Sequence, residues 1–299
     1  MTTTFKEVEA ARLAYLKKIR KYSLFGVIST VGMLILSFWT LFILLPVAIF
    51  LGAFWFYLAV GSKERVNYQR AYKAYFVEKE LEATFSELKY NHTSGLNPRV
   101  LAATGMVNLG DRFNSNDFAT GRYKDVGFTQ ADVHIETEYT DSEGHASYTT
   151  IFKGRWMIFE FPKKFNFRLE VIEKGFRAYQ VPKGDAKTGR KFEKVQVESP
   201  EFNKMFKVWA EDGFETFYLL DPSLIDNITK LGEAYKGQML LCFVDNRLYV
   251  GLNDKKDAFE PPNVFKKLEE ATEKAKIKQD VGLITDFVDK LKLSKGIFR

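Results

Sequence analysis

A long apolar stretch near the N-terminus dominates the pattern of hydrophobic and polar positions. From Ser23 to Val60, 38 consecutive positions carry no charged residue. As a single helix these residues would extend about 57 Å, whereas a bilayer core is about 30 Å thick and needs roughly 20 apolar residues. The pattern therefore predicts two membrane-spanning helices, Tyr22 to Trp39 and Leu41 to Val60, joined by a tight turn near Trp39 and Thr40.

Basic residues flank this hairpin on both sides. They precede the first span and follow the second: Arg12, Lys17, Lys18, Arg20 and Lys21, then Lys63, Arg65, Arg70 and Lys73. Lys and Arg are enriched on the cytoplasmic side of membrane spans, so both flanks are expected in the cytoplasm. A cleaved signal peptide would have a shorter apolar region and would not follow 22 residues of charged helix. We therefore expect a multi-pass protein of the cytoplasmic (inner) membrane with both termini cytoplasmic.

Two helical segments border the predicted hairpin. The apolar spacing from Thr4 to Tyr22 predicts an amphipathic helix that begins with a Thr4 and Glu7 capping box. This helix either lies on the inner leaflet or extends the first span. Ser62 to Tyr90 contains no Gly or Pro and predicts a stalk helix, which turn-forming residues at 91–98 end. The predicted division is an amphipathic helix (1–22), a hairpin (23–60), a stalk helix with linker (61–97) and a cytoplasmic domain (98–299).

From residue 98 onward the pattern predicts a mixed α+β domain with an antiparallel sheet. A short helix begins at Pro98, and a further helix runs from Asp221 to about Tyr235. Alternation predicts a strand hairpin over 125–140 and 147–161, then strands at 166–172, 194–197, 206–210, 238–244 and 247–252. Asp245 and Asn246 are expected to form a tight turn between the last two strands. A long C-terminal helix from Asn263 to about Lys292 completes the predicted fold.

Positive charge is concentrated in one loop-rich part of this domain. The chain carries a net charge of +6, and residues 160–195 contain ten Lys or Arg against five Asp or Glu. Such a cluster beside a membrane can bind anionic lipid headgroups. The candidate contacts are Lys163, Lys164, Lys183, Lys187, Arg190 and Lys191. A merely solvated loop is the alternative. Nucleic acid is not expected as a partner, because Phe165 and Phe167 alternate as strand-core residues rather than as a stacking platform.

Residue types associated with catalysis, cofactors or metals occur only in weak patterns. Gly184 to Lys191 has two glycines at the phosphate-loop spacing, but Arg190 and Lys191 replace the required Lys and Ser or Thr. The lone Cys242 lies in an apolar strand and is expected to be a buried, inert thiol. A single cysteine also suits a reducing compartment. The sequence therefore predicts no catalytic, cofactor-binding or metal-binding residues.

Two sets of side chains leave metal binding or acid–base catalysis as an alternative. His134, Glu136 and Glu138 alternate on one strand and would share a face that could hold a cation, although an exposed polar face is the simpler interpretation. Glu198, Glu201 and Asp212 could supply an acid and a base if the fold gathered them in a pocket.

Several segments of the chain resemble a bacterial membrane protein family known as domain of unknown function 3137. The resemblance lies in residues 115–128, 151–161, 195–228 and 241–252, and is most specific from Glu198 to Val208, ESPEFNKMFKV. It implies a bacterial inner-membrane protein with a cytoplasmic α+β domain and no established reaction. It further implies a LemA-type membrane protein as a partner.

Two functions follow from these observations. The favoured hypothesis is an integral inner-membrane protein, with the lipid bilayer as its partner, whose α+β domain is a non-enzymatic binding or scaffold module. The alternative is a membrane-tethered enzyme that uses carboxylates of the same domain. A concave pocket that gathers either set of acidic side chains would favour the enzyme.

Overall fold

A computed structural model describes residues 3–39, 45–179 and 191–295 of the chain. The chain forms two compact units: Met1–Glu80 with Phe259–Ile277, and Leu81–Ala258 with Lys278–Arg299. The architecture is α+β with an antiparallel sheet and a C-terminal helix, as the sequence predicts.

The first unit is helical. Its N-terminal helices are α1 (Phe5–Trp39), α2 (Leu45–Val60) and α3 (Lys63–Tyr72), followed by a π-helical segment (Lys73–Glu78) and the start of α4 (Lys79–Thr84). The predicted amphipathic helix and the first predicted span are thus parts of one continuous helix, α1. The predicted turn residue Thr40 and residues 41–44 of the second predicted span lie outside the described residues.

A capping box starts α1 where the sequence predicts it. The backbone N–H of Thr4 donates to Glu7 Oε2 at 2.7 Å, and the backbone N–H of Glu7 donates to Thr4 Oγ1 at 3.4 Å. These bonds satisfy two of the N–H groups that a helix start leaves without intrahelical partners.

Two helices of this unit are long and apolar enough to cross a membrane. They are Phe5–Phe38 and Pro46–Thr84, the second taking α2 to α4 as one helical run. Only 11% and 12% of their most apolar 18-residue windows are buried within the structure. Large apolar side chains on both are exposed, including Ile28 at 59% and Phe56 at 71%. Length and composition therefore permit membrane association.

The predicted stalk helix ends earlier than the sequence predicts. α4 ends at Thr84, and Ser86–Asn91 forms strand β1 instead of continuing the helix to Tyr90. Phe85 is buried against Phe128 with ring centroids 4.4 Å apart, and Glu87 adopts a left-handed φ of 52°. The β1 segment SELKYN has no local strand signal, so its pairing with a distant strand overrides its helical propensity.

The second unit is built on an antiparallel sheet that has seven strands within the described residues. The sheet order is β1-β2-β3-β4-β6-β5, with β7 paired to β4. The strands are β1 (Ser86–Asn91), β2 (Arg112–Tyr123), β3 (Val126–Thr140), β4 (Ala146–Glu173), β5 (Glu193–Val195), β6 (Phe206–Ala210) and β7 (Gln238–Asn253).

Strands β4 and β7 are each longer than predicted. The predicted strands 147–161 and 166–172 are one strand, β4, and the predicted hairpin at Asp245 and Asn246 is wrong because β7 runs through both residues. Asp245 does adopt a left-handed φ of 52°, but it pairs with Phe165 at an irregular stretch of the ladder. The positive φ is therefore accommodated by a β-bulge rather than by a reversal of the chain.

Short helices connect the strands of the second unit. They are α5 (Pro98–Ala102), α6 (Pro200–Met205), α7 (Gly213–Leu219) and α8 (Pro222–Ala234). The C-terminal helix α9 spans Glu270–Lys290 and begins seven residues later than predicted. Asn263 Oδ1 accepts a hydrogen bond from the backbone N–H of Phe265 at 3.0 Å, and the chain makes a single turn there before α9 begins. One face of the sheet buries a core that includes Trp156, Phe152 and Cys242.

Candidate functional site

The first unit contains a large cavity of about 880 Å³. Small-molecule sites commonly occupy about 300–1,000 Å³, so the cavity has room for a sizeable ligand. Its walls come from α1, α2, α3 and the segment from Glu260 to Phe265. Much of the wall is aromatic: Tyr15, Tyr22, Trp55, Phe56, Tyr68 and Phe265.

Small residues and ring stacking shape the wall between α1 and α2. A Cβ at Gly26 would lie 3.5 Å from Trp55 Cβ, and a Cβ at Gly52 would lie 3.2 Å from Thr30 Oγ1. The Gly26 distance is an ordinary contact, whereas the Gly52 distance is tighter than usual, so glycine at position 52 allows the two helices to approach closely. Trp55 stacks against Tyr22 with ring centroids 5.7 Å apart and an interplanar angle of 28°. These contacts fix the indole as part of the cavity wall.

Hydrogen bonds hold the segment that closes one side of the cavity. Lys73 Nζ lies 2.7 Å from Glu260 Oε1, and Gln69 Nε2 donates to Glu260 Oε2 at 3.3 Å. Arg12 is buried and donates through Nη1 to the carbonyl oxygens of Val264 and Lys266 at 2.7 and 3.0 Å. Charge-assisted bonds of this kind are stronger than neutral ones, so the segment has a defined position beside the helices.

Two lining residues, Tyr68 and Arg65, carry polar side-chain groups that have no hydrogen-bond or ion-pair partner among the described residues. Tyr68 is 2% exposed, and its hydroxyl has no hydrogen-bond partner among the described residues. Burial raises the pKa of this hydroxyl, so it stays protonated and is a donor. A buried unpaired hydroxyl costs about 1–3 kcal/mol. Arg65 is exposed and forms no salt bridge within residues 3–39, 45–179 and 191–295. Arg65 is available to polar atoms of a ligand, whereas the Tyr68 hydroxyl is buried behind the wall.

The sequence did not indicate this cavity. In the sequence Arg65 stands out only as one of the basic residues that flank the hairpin, and nothing marks Tyr68 as a ligand-binding residue. The wall combines residues 15–69 with residues 260–265, which are about two hundred positions apart in the chain. A contact across that separation is not visible in local periodicity.

A buried polar cluster occupies the core of the second unit. Glu170 is buried, accepts a hydrogen bond from Arg168 Nε at 2.8 Å, and accepts another from the Tyr179 hydroxyl at 2.8 Å. Burial raises the pKa of Glu170 to about 7, although Arg168 and Tyr179 both favour the carboxylate. Cys242 is directly opposite Glu170 on β7.

Cys242 is a buried free thiol, as the sequence predicts. Burial raises the pKa of the thiol above its ordinary value, and the nearby Glu170 carboxyl acts in the same direction. Because the thiolate is the reactive form, this cysteine is a poor nucleophile and behaves as a core residue.

The structure keeps only part of the predicted His134 set together. His134 Nε2 lies 3.0 Å from Thr150 Oγ1 and 3.7 Å from Glu136 Oε1. Glu138 instead accepts a hydrogen bond from the Tyr148 hydroxyl at 2.7 Å. Across the described parts of the chain, no group of three or more His, Cys, Asp or Glu side chains is arranged to hold a metal ion.

The second acidic set has structural partners. Asp212 Oδ1 accepts hydrogen bonds from the backbone N–H groups of Phe214 and Glu215 at 2.9 and 3.1 Å, and thereby caps α7. Glu201 lies in the first turn of α6, where the helix dipole favours a carboxylate. Glu198 is exposed just before that helix.

Most of the predicted lipid-contact residues fall where the structure gives no side-chain description. Lys183, Lys187 and Arg190 lie outside the described residues, as does the loop 184–190, and Lys163 is known only as a position in β4. Lys164 is exposed, with Nζ 4.0 Å from Asp245 Oδ1, and Lys191 is exposed. Contact of these residues with anionic lipid stays a prediction.

The fold and the sequence place the chain in a class of proteins that combine an antiparallel α+β domain with two helices long and apolar enough to cross a membrane. Residues 150–293 match the model of the family described as "Protein of unknown function (DUF3137)". The match covers nearly half of the chain and is to the family that these segments resemble in sequence.

Other comparisons add little. No curated protein matches the chain significantly. Among solved structures, the crystal structure of the mycobacterial trehalose monomycolate transport factor A, TtfA, aligns with a TM-score of 0.38 and 10% sequence identity. The alignment covers 75% of this chain and 95% of that one. Likeness at this level does not establish a shared fold.

Proposed function

We propose that the protein is an integral protein of the bacterial inner membrane whose α+β domain is a non-enzymatic binding or scaffold module on the cytoplasmic side. Helices α1 and α2 form the membrane-spanning hairpin in this proposal. The observation that carries it is the exposure of the two apolar helices, of which only 11% and 12% of the most apolar windows are buried.

The exposed apolar surface of these helices is more stable in a bilayer than in water. A core helix of a water-soluble protein buries its apolar side chains, whereas Ile28, Phe50 and Phe56 are all more than half exposed. In water they would form part of an unusually large apolar patch. In a bilayer the same side chains meet hydrocarbon, and the helical hydrogen bonds satisfy the backbone polar groups. Membrane insertion therefore accounts for both the sequence and the exposure.

The orientation in the proposal follows from charge. Basic residues lie just before and just after the uncharged stretch. They are Lys17, Lys18, Arg20 and Lys21 on the N-terminal side, and Lys63 and Arg65 on the C-terminal side. Because basic residues near spans favour the cytoplasmic side, both ends of the hairpin are assigned to that side.

Thiol labelling tests the sidedness. Ser142→Cys places a thiol in the exposed turn between β3 and β4, and the wild-type chain is a low-background control because Cys242 is buried. We expect a membrane-impermeant maleimide to label the variant in inverted vesicles but not in intact cells. Equal labelling in intact cells would place the domain outside and refute the proposed orientation.

A further inference from the structure

We propose that the cavity of the first unit binds an anionic phospholipid, with one acyl chain along the apolar wall and the headgroup phosphate at Arg65. The inference rests on the proposed insertion of α1 and α2 into the bilayer. It adds a specific ligand site to a protein that is otherwise only anchored there.

The apolar wall suits an acyl chain that enters from the bilayer. Val27 and Val31 on α1 and Phe56 on α2 line the cavity while remaining exposed. These residues belong to the uncharged stretch, so the wall is continuous with the surface that would face hydrocarbon. A lipid could therefore enter sideways without transferring its chain through water.

Charge at the other end of the cavity favours an anionic headgroup. Arg65 and Glu260 are the charged lining residues among the described positions. Glu260 is already paired with Lys73 at 2.7 Å, whereas Arg65 has no salt bridge within the described part of the chain. Neighbouring charges are also paired, since Lys18 lies 3.0 Å from Glu64 and Arg12 lies 2.6 Å from Glu9. The unbalanced charge at this end is therefore the positive charge of Arg65.

The position of Arg65 just beyond the uncharged stretch corresponds to the level of lipid headgroups. It lies five residues after Val60, the last residue of the uncharged stretch. It lies near the start of α3, where its planar guanidinium can pair with phosphate oxygens.

Photo-crosslinking of the full chain in phosphatidylcholine vesicles tests the proposal. Trace phosphatidylglycerol and trace phosphatidylcholine, each with the same photoactivatable acyl chain, are the two probes. We expect phosphatidylglycerol to label the chain more strongly, with crosslinks in residues 15–31, 52–56 and 260–265. Equal labelling by both probes would overturn the anionic preference.

Variants locate the site. Arg65→Gln should lower phosphatidylglycerol labelling about fivefold, the effect of one basic residue near an anionic lipid surface. Arg70→Gln is the matched control, because Arg70 is an exposed basic residue of the same helix outside the lining. If Arg65→Gln and Arg70→Gln have equal effects, the headgroup assignment is wrong.

A second pair of variants tests the acyl-chain path. Val31→Trp should fill the groove and lower labelling by both probes, whereas Ile28→Trp, on the same helix but outside the lining, should not. Unchanged labelling of Val31→Trp would exclude this wall as the binding surface. Retention of each protein in vesicles at alkaline pH is measured in parallel. A chain that is not retained refutes the proposed insertion, whereas a retained chain with equal labelling refutes only the lipid site.

Discussion

Glu170 shows at the scale of single residues how burial sets chemistry. It lies in the middle of a strand-forming sequence, and its neighbours Leu169 and Val171 are also buried. β4 is covered on both sides, so alternation along the sequence does not reveal which polar positions are buried. The carboxyl is held by Arg168 and Tyr179, and its pKa of about 7 makes it a titrating group near neutrality.

The titration of Glu170 predicts a pH-dependent stability. Because its pKa is raised from the usual 4.5 to about 7, the folded state binds the proton more tightly than the unfolded state. Its contribution to the free energy of unfolding is therefore fully present below pH 4.5 and is lost as the pH rises to about 7. At about 1.4 kcal/mol per pKa unit, the full loss is about 3–4 kcal/mol.

Chemical unfolding of the full chain in detergent micelles at pH 5 and pH 8 measures this loss. Glu170→Gln cannot titrate, so the stability difference between wild type and variant should change by about 2–3 kcal/mol between the two pH values. Glu143→Gln, in the exposed turn between β3 and β4, is the control and should leave the profile unchanged. Parallel profiles for wild type and Glu170→Gln would contradict the assigned titration.

At the level of helices and strands, the sequence predicted those elements whose signals lie within a few residues of them. The strand at 206–210 was predicted at its observed bounds, and the helices that begin at Pro98 and Pro222 start where their capping residues predict. Each of these has a cap, a proline or a clear alternation within a few residues. The uncharged stretch likewise predicted two apolar helices, since charge patterning is local information.

Helices and strands that depend on partners distant in the sequence were either not predicted or were predicted as two shorter elements. β1 and β2 pair with each other and α7 begins at Gly213, but none of the three was predicted. β4 and β7 were each divided, because a left-handed residue or a bulge resembles a turn in sequence and only the partner strand shows that the ladder continues. The cavity was missed for the same reason, since residues 260–265 join the wall through long-range packing.

The cap of α8 gives a prediction at this scale. Asp221 Oδ1 accepts the backbone N–H of Leu224 at 2.7 Å, so Asp221→Ala should lower the free energy of unfolding by about 1 kcal/mol. Asp226→Ala removes only an exposed ion pair with Lys230 in the same helix and should cost less than about 0.5 kcal/mol. Denaturant midpoints of the full-length variants measure both, and equal losses would rule out the capping role.

At the scale of the whole molecule, one chain combines a family domain with an apolar hairpin. The family match begins at residue 150, whereas the uncharged stretch ends at Val60. Three physical features support the hairpin: its charge-free length, the exposure of its apolar side chains and its basic flanks. Both the proposed function and the proposed lipid site depend on it.

Alkaline carbonate extraction of membranes that contain the full chain tests most directly whether the hairpin crosses the bilayer. High pH releases proteins held only by charge or by other proteins, whereas helices that cross the hydrocarbon remain with the bilayer. We expect the chain to sediment with the membranes after extraction. Recovery of the chain in the soluble fraction would contradict the membrane-spanning hairpin.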